Sequence, residues 1–410
     1  MKFKTVRGMR DFLPEKAELK RWIEGVCEKW FRRYGFVPLQ TPIVEEFKLL
    51  AKKGSGGEAI KDEIYYFKDK SGRELGLRFD LTVPTARVVA GNQQLGRPFK
   101  RYQIGRVYRY DRPQKQRYRE FTQADVDVFG VENAKAEFEL LAVSARILQE
   151  LGIGFKIRVN NRKLLEEIAL ENGVKKEKIK NAFRAIDKLD KIGWEGVEKE
   201  FKKKKIPLEF IKAVKKNDAT CISGCSGAEE IEELFSLLKE QKLDKFVELD
   251  LTLARGLEYY TGTVFEIASE NGPSIGGGGR YDKLIEAYDG QPTPATGISF
   301  GIDRLVDVLE GKKLESEVKL FIIPLGDKAG KEALVLAEKM RSEGISVETD
   351  LIGRGISKNI SYSDRKGIPL VGILGEDELK KKEISVKNLK SGKQNSVSLK
   401  NVKKLAELLS

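Results

Sequence analysis

The stretch Arg106-Val-Tyr-Arg-Tyr-Asp-Arg-Pro-Gln-Lys-Gln-Arg-Tyr-Arg-Glu-Phe-Thr-Gln-Ala-Asp-Val-Asp-Val-Phe129 decides the fold. Its two ends alternate as strands do, and its middle is polar and carries a proline. The pattern predicts strands over 101–110 and 119–130, joined by a basic loop. Side chains along a strand alternate between faces, so Gln123, Asp125 and Asp127 share one face and Ala124, Val126 and Val128 the other. If both faces are buried, two carboxylates and an amide need a polar partner. Two readings fit this segment alone: a half-exposed edge strand, or the floor of a pocket for a cationic or hydrogen-bonding small molecule. The loop carries Arg109, Arg112, Lys115, Arg117 and Arg119. Guanidinium forks match phosphate oxygens, although a basic hairpin loop can also be merely solvated.

On the N-terminal side, Pro14 and the stripe Leu19, Ile23, Val26, Trp30 and Tyr34 predict an amphipathic helix over 14–34. An extended segment over 36–42 and strands over 64–67 and 75–82 follow. On the C-terminal side a helix is expected over 133–151. The texture then turns to short helices rich in Lys and Glu, read as an inserted helical module over 173–245. Strands resume over 247–253 and 263–268. Gly276–Gly279 reads either as a tight turn or as backbone that approaches a ligand closely; it lacks the spacing of a P-loop. A helix from Tyr281, a strand over 295–300 and a helix over 301–309 complete this part. Beyond residue 314, strands and helices alternate strictly, a βαβαβ unit with a parallel sheet, closed by a hairpin and a helix. This gives a domain over 1–172 and 246–314, the module inserted in it, and an α/β domain over 317–410.

The chain has 410 residues, with 76 Lys and Arg against 63 Asp and Glu, a formal net charge of +13, and no histidine. A histidine triad, a histidine base and histidine-ligated zinc are thereby excluded. Cys27, Cys221 and Cys225 do not complete a tetrahedral metal site and read as inert thiols. The positive balance favours a polyanionic partner such as nucleic acid, although Lys- and Glu-rich surfaces have other causes. No apolar run approaches the roughly 20 residues of a membrane helix, and the start resembles no signal peptide, so a cytoplasmic protein is expected.

Four segments together resemble one family. Residues 106–123 resemble motif 2 of class II aminoacyl-tRNA synthetases, and Gly297-Ile-Ser-Phe-Gly-Ile-Asp-Arg304 resembles motif 3. Leu253-Ala-Arg-Gly-Leu-Glu-Tyr-Tyr260 and Gly277-Gly-Gly-Arg-Tyr-Asp282 are similar to the two histidine-specific signatures of the histidyl-tRNA synthetase family. The opening Val6-Arg-Gly-Met-Arg-Asp-Phe-Leu-Pro14 fits as well. The resemblance implies an α+β class II catalytic domain, an antiparallel sheet flanked by helices, with a helical insertion and a C-terminal α/β anticodon-binding domain. It also implies a homodimer, formed through the helix at 14–34 and the strand after it.

The activity implied is the activation of histidine with ATP and its transfer to the 3′ end of tRNA(His). ATP with Mg2+ is expected, without a tightly bound protein metal. By position, Arg109 and Arg255 resemble the arginines on the α-phosphate, and Phe121 and Arg304 the pair that sandwiches adenine. Asp80, Thr82 and Gln123 resemble the groups around the substrate ammonium. Asp127 and Tyr260 resemble the pair that reads the imidazole, with Tyr281 a wall of that pocket. Arg112, Gln114, Lys115 and Arg117 fall in the loop that meets the tRNA acceptor end. Asp125 is left to orient Arg109 or another neighbour.

The sequence departs from the family in places. Phe79-Asp80 stands where many members read Pro-Glu, and Thr122 and Tyr110 where histidines are frequent. Asp127 is one methylene shorter than the glutamate of many bacterial members. The rival expectation is a non-catalytic relative, the regulatory subunit of ATP phosphoribosyltransferase, which lacks the anticodon-binding domain.

Overall fold

The computed structural model describes residues 3–52, 62–112, 117–217, 224–254, 259–270, 272 and 274–399. The chain divides into two units, Met1–Glu310 and Gly311–Ser410. In the first, helix α1 (Pro14–Arg33) starts with proline, whose missing N–H costs nothing there, and stops before Gly35 at φ 77°. It buries Leu19, Ile23, Val26, Cys27 and Phe31. The expected stripe therefore turns to Cys27 and Phe31. Trp30 is half-buried instead and donates its Nε1–H to Glu150 at 2.8 Å.

Strands β1 (Val37–Pro38) and β2 (Val44–Glu46), helix α2 (Phe47–Leu50), and strands β3 (Tyr66–Lys68) and β4 (Glu74–Leu77) follow. β4 ends well before Thr82. The Asp80 carboxylate accepts the Val83 backbone N–H at 3.0 Å and helps to start helix α3 (Thr82–Gly91), whose first turn tolerates Pro84. Next come β5 (Phe99–Tyr108), β6 (Glu120–Phe129), α4 (Lys135–Leu151), β7 (Phe155–Asn161) and α5 (Arg162–Glu171). The Lys- and Glu-rich stretch forms α6 (Lys176–Ile186), α7 (Leu189–Lys204), α8 (Glu209–Lys216) and α9 (Ser226–Glu240). Of these, α9 lies on α4, α5 and β7. The unit closes with β8 (Val247–Leu249), β9 (Thr263–Ser269), β10 (Ser274–Arg280), α10 (Leu284–Ala287), β11 (Ala295–Gly301) and α11 (Ile302–Val308).

One eight-stranded sheet organises this unit, in the order β1-β5-β6-β11-β10-β9-β7-β8. The six strands from β5 to β7 pair antiparallel, while the outer strands β1 and β8 run parallel to their neighbours. β6 is thus an interior strand, buried from Thr122 to Phe129 on both faces, which overturns the solvated-edge reading of that segment. Gly276–Gly279 is not a turn either. These glycines form most of β10, between β9 and β11. Phe79, Val83, Phe129, Tyr281 and Leu284 share one buried cluster, which anchors the segments carrying Asp80 and Asp127.

The second unit alternates β12 (Leu320–Pro324), α12 (Asp327–Ser342), β13 (Val347–Thr349), α13 (Ile356–Arg365), β14 (Leu370–Leu374) and α14 (Glu376–Lys381). The hairpin β15 (Glu383–Asn388) and β16 (Gln394–Ser398) follows. Its sheet order is β13-β12-β14-β15-β16, parallel across the first three strands. Leu320, Ile322, Ala333, Leu336 and Met340 fill its core. The expected closing helix lies outside the described residues.

Candidate active site

A cavity of about 440 Å³ opens in the first unit. Its floor includes the backbone of Gly276, Gly277 and Gly278. A Cβ at Gly278 would land on the carbonyl of Gly297, and one at Gly276 would lie 2.9 Å from the carbonyl of Ser299. The strand can take its place only as bare backbone. Around this floor stand Arg109, Phe121, Gln123, Tyr260 and Arg304, contributed by four different segments.

Each of these side chains is held. Arg109 donates through Nε to the Phe79 carbonyl at 2.9 Å, and its guanidinium carbon lies 5.2 Å from the centre of the Phe121 ring. Arg304 donates through Nη1 to the Ser274 carbonyl at 2.6 Å. The Gln123 amide donates to Ser299 Oγ at 2.5 Å. Tyr259 donates its hydroxyl to that of Tyr260 at 2.9 Å. Phe121 and Arg304 present a ring and a guanidinium to one cavity, the components of an aromatic–cation sandwich.

Beyond Gln123 the same face of β6 leads to a closed cluster. Register pairs Gln123, Asp125 and Asp127 with Gly301, Ser299 and Gly297 of β11, and with Gly105, Gln103 and Arg101 of β5. Tyr281 donates its hydroxyl to Asp127 Oδ1. Arg101 Nη2 forms an ion pair with Asp127 Oδ2 at 2.5 Å. A Cβ at Gly297 would collide with this carboxylate. Asp80, Thr82, Asp127 and Tyr281 do not line the open cavity; it is Gln123 and Tyr260 that do.

Burial governs the titration of this cluster. It pushes the Asp125 carboxyl up to about 7, opposed by the charge of Arg101 and reinforced by that of Asp127. It pushes Asp80 up to about 6, opposed by the Val83 hydrogen bond and by Arg109. Asp127 is also raised by burial, against the pull of Arg101 and Tyr281. The Tyr260 hydroxyl is pushed up to about 12. Carboxyls raised in this way regain their charge when a cation arrives beside them.

Arg255 lies outside the described residues, as do Gln114, Lys115 and Cys221. Arg112 is exposed. Arg117 lines the cavity and donates to Asp111 at 2.6 Å. Among the described residues there is no cluster of three or more metal-ligating side chains. Cys27 and Cys225 are buried and free, and burial holds the Cys27 thiol far above its ordinary range.

Three residues escaped the sequence reading. Arg101 is fully buried and reaches Asp127. Its signal was a basic residue directly opposite Asp127, legible only once the register of β5 and β6 is known. Arg10 donates to Tyr118 at 2.7 Å and to Asp303 at 3.1 Å, tying the N-terminal segment to two residues that line the cavity. Arg280 pairs with the buried Glu137 at 2.8 Å and so fixes β10 to α4.

A family model described as histidyl-tRNA synthetase matches residues 8–305, and one described as anticodon binding domain matches residues 319–407. A histidine–tRNA ligase of Bacillus cereus is 38% identical, over 98% of this chain and 97% of its own. A histidine–tRNA ligase of Pyrococcus furiosus is 36% identical, over 96% of each chain. The crystal structure of histidyl-tRNA synthetase from a Nostoc species superposes with a TM-score of 0.87 at 28% identity and covers 100% of both chains. A Bacillus halodurans structure described as an ATP phosphoribosyltransferase regulatory subunit/histidyl-tRNA synthetase shares the fold. Its TM-score is 0.75 at 24% identity, over 91% of this chain and 98% of its own.

Proposed function

The chain belongs to the histidyl-tRNA synthetase family and joins histidine to tRNA, and we propose that its open cavity takes ATP while the carboxylate and tyrosine cluster behind it takes histidine. The observation that carries this division is the single face of β6. Gln123 stands at the cavity, and Asp125 and Asp127 follow it inward, so one strand reaches from the nucleotide to the amino-acid side chain. Adenine lies between Phe121 and Arg304. Asp80, Thr82 and Gln123 surround the substrate ammonium, where a cation restores the charge of the raised carboxyls. Asp127, Tyr260 and Tyr281 enclose the imidazole.

In the first step a carboxylate oxygen of histidine attacks the α-phosphorus of ATP. The new P–O bond forms as the bond to pyrophosphate breaks. The nucleophile is already ionised, so the step needs no protein base, consistent with a chain that has no histidine of its own. Arg109 and Arg255 supply positive charge beside the α-phosphate oxygens, where negative charge develops. In the second step a hydroxyl of the terminal adenosine of tRNA attacks the histidyl carbonyl, and AMP leaves. Magnesium brought by ATP would neutralise phosphate charge, and Glu266, a buried carboxylate that lines the cavity and pairs with Arg158 at 3.5 Å, would offer it an oxygen ligand.

Arg112, Gln114, Lys115 and Arg117 meet the acceptor end of tRNA(His), and the second unit holds the anticodon. The homodimer forms through α1 and the extended segment after it, where Val37, Ile43 and Val44 leave apolar side chains exposed for a second copy of the chain to cover. The protein works in the cytoplasm; no helix among the described residues is long and apolar enough to cross a membrane. The deciding experiment is ATP–pyrophosphate exchange with each amino acid in turn. Exchange with histidine alone is expected, because a site built to bond a ring nitrogen rejects analogues lacking it by about 10⁴-fold. Equal stimulation by glutamine or asparagine would sink the reading.

A further inference from the structure

We propose that Arg101 is a positioning residue that sets the charge balance of the amino-acid site, so that histidine is taken up with its imidazole neutral. This rests on the reading of Asp127 as the carboxylate that meets the ring.

Arg101 sits on β5 directly opposite Asp127 and is 0% exposed. Its ion pair with Asp127 Oδ2 leaves Oδ1 to the hydroxyl of Tyr281. No other acid pairs with this guanidinium among the described residues, and none of its three nitrogens makes an aligned hydrogen bond there, so its tie to Asp127 is one of charge at close range. A buried guanidinium committed to one carboxylate, with N–H groups to spare, is costly to keep for packing alone. It costs least where a charge balance requires it.

The groups facing Asp127 can be counted element by element. β5 contributes Arg101. β6 itself contributes Asp125, and the segment ahead of α3 contributes Asp80, both of which act on the same cluster. The segment after β10 contributes Tyr281, and the one ahead of β9 contributes Tyr259 and Tyr260. β11 offers only Gly297 and the hydroxyl of Ser299. Arg109 acts on Asp80 from the cavity side. The segment ahead of α3 also contributes Arg78, which is buried and acts on both Asp125 and Asp80. With Arg109 given over to the α-phosphate, three carboxylates thus face Arg78, Arg101 and the incoming ammonium of the substrate. These charges cancel, so a neutral ring completes the balance and an imidazolium would exceed it. Without Arg101 one negative charge is left over, and the ring is drawn to its cationic form, since an opposite charge at such range shifts a titration by about 1–3 pH units.

The test compares histidine with a triazole analogue whose ring stays neutral throughout the pH range. Both are measured by ATP–pyrophosphate exchange from pH 5.5 to 8. The ratio of the two kcat/KM values cancels the titration of the enzyme's own carboxyls and leaves that of the substrate ring. For the wild type the ratio should fall about tenfold per pH unit below the ring's pKa. Arg101→Met should flatten or invert that fall, raising the ratio at pH 5.5 by about tenfold, whereas Arg101→Lys should restore it. A Met variant whose ratio runs parallel to the wild type would overturn the proposal. So would a Lys variant that behaves like Met.

A measurement on the unaltered enzyme keeps the question open to refutation even if the Met variant does not fold. Bound ¹⁵N-labelled histidine at pH 6 should give the nitrogen shifts of a neutral ring, and imidazolium shifts would overturn the proposal. Asp127→Asn separates the two levels of inference. An unchanged KM for histidine would remove the imidazole site itself. A raised KM together with a parallel Arg101→Met profile would remove only the role of Arg101.

Discussion

Gly297 lies directly across the β6–β11 ladder from Asp127, and the carboxylate occupies the space where a side chain at residue 297 would begin. The hydroxyl of Tyr281 also lies within 3.1 Å of that point. The absence of one carbon atom therefore lets an acid, a phenol and a guanidinium meet in the interior of a sheet.

Gly297→Ala should accordingly displace Asp127 or Tyr281. Overpacking of this kind costs about 1–3 kcal/mol. The expected result is a lower melting temperature and a KM for histidine raised at least tenfold, with the KM for ATP changed far less. An alanine variant with an unaltered KM for histidine would show that the cluster repacks without loss.

Arg255→Ala should lower kcat for adenylation by roughly 10²–10³, the usual loss when a donor aimed at transition-state charge is removed. The KM for histidine should move little. Pre-steady-state adenylate formation separates the two, and a variant within a few-fold of the wild type would make Arg255 merely structural.

Two buried carboxyls titrate where the chain has no imidazole to obscure them. Asp125 stands at about 7 and Asp80 at about 6, each raised chiefly by burial. A carboxyl whose pKa is raised on folding stabilises the fold while it is protonated, and that stability is lost as pH rises through the folded value. The melting temperature of the ligand-free enzyme should therefore rise as pH falls from 8 to 6. The free energy of unfolding should change by on the order of 1 kcal/mol per pH unit over this range. Saturating histidine should flatten the slope, because its ammonium meets the ionised carboxyls. Histidine binding at pH 6.5 should also release protons, measured by calorimetry in buffers of different ionisation enthalpy. A pH-independent melting temperature would place these acids in a wetter environment.

Removal of residues 311–410, at the boundary between the two units, should spare adenylation and abolish efficient charging of tRNA. Charging by the whole enzyme should weaken with salt, as phosphate contacts release counterions. Undiminished charging by a well-folded truncation would argue against an anticodon-binding role for the second unit.

Much of this was legible in the chain. The alternation of residues 121–129 placed Gln123, Asp125 and Asp127 on one face, and the strict alternation beyond residue 314 gave the parallel βαβαβ unit. What the chain concealed was long-range. Nothing local tells an interior strand from an edge, so the solvated reading of β6 stayed open until β5 and β11 were seen on either side of it. Glycine carries no periodic signal, so β10 resembled a turn. Arg101 became meaningful only through register, which pairs residues 26 positions apart. The pH behaviour was equally hidden, because it is burial, set by the packing of distant segments, that brings Asp80 and Asp125 into the range near pH 6–7.

The glycine strand also bears on how such an enzyme can be inhibited. An adenylate mimic lying along Gly276, Gly277 and Gly278 would rest on main-chain atoms, with no side chain beneath it to be exchanged. A single-residue change on that floor adds atoms, and at Gly278 they would strike the neighbouring strand before they reached the drug. Resistance by point mutation is left to the side chains around that floor, and at Phe121 or Arg304 it would also weaken the grip on ATP.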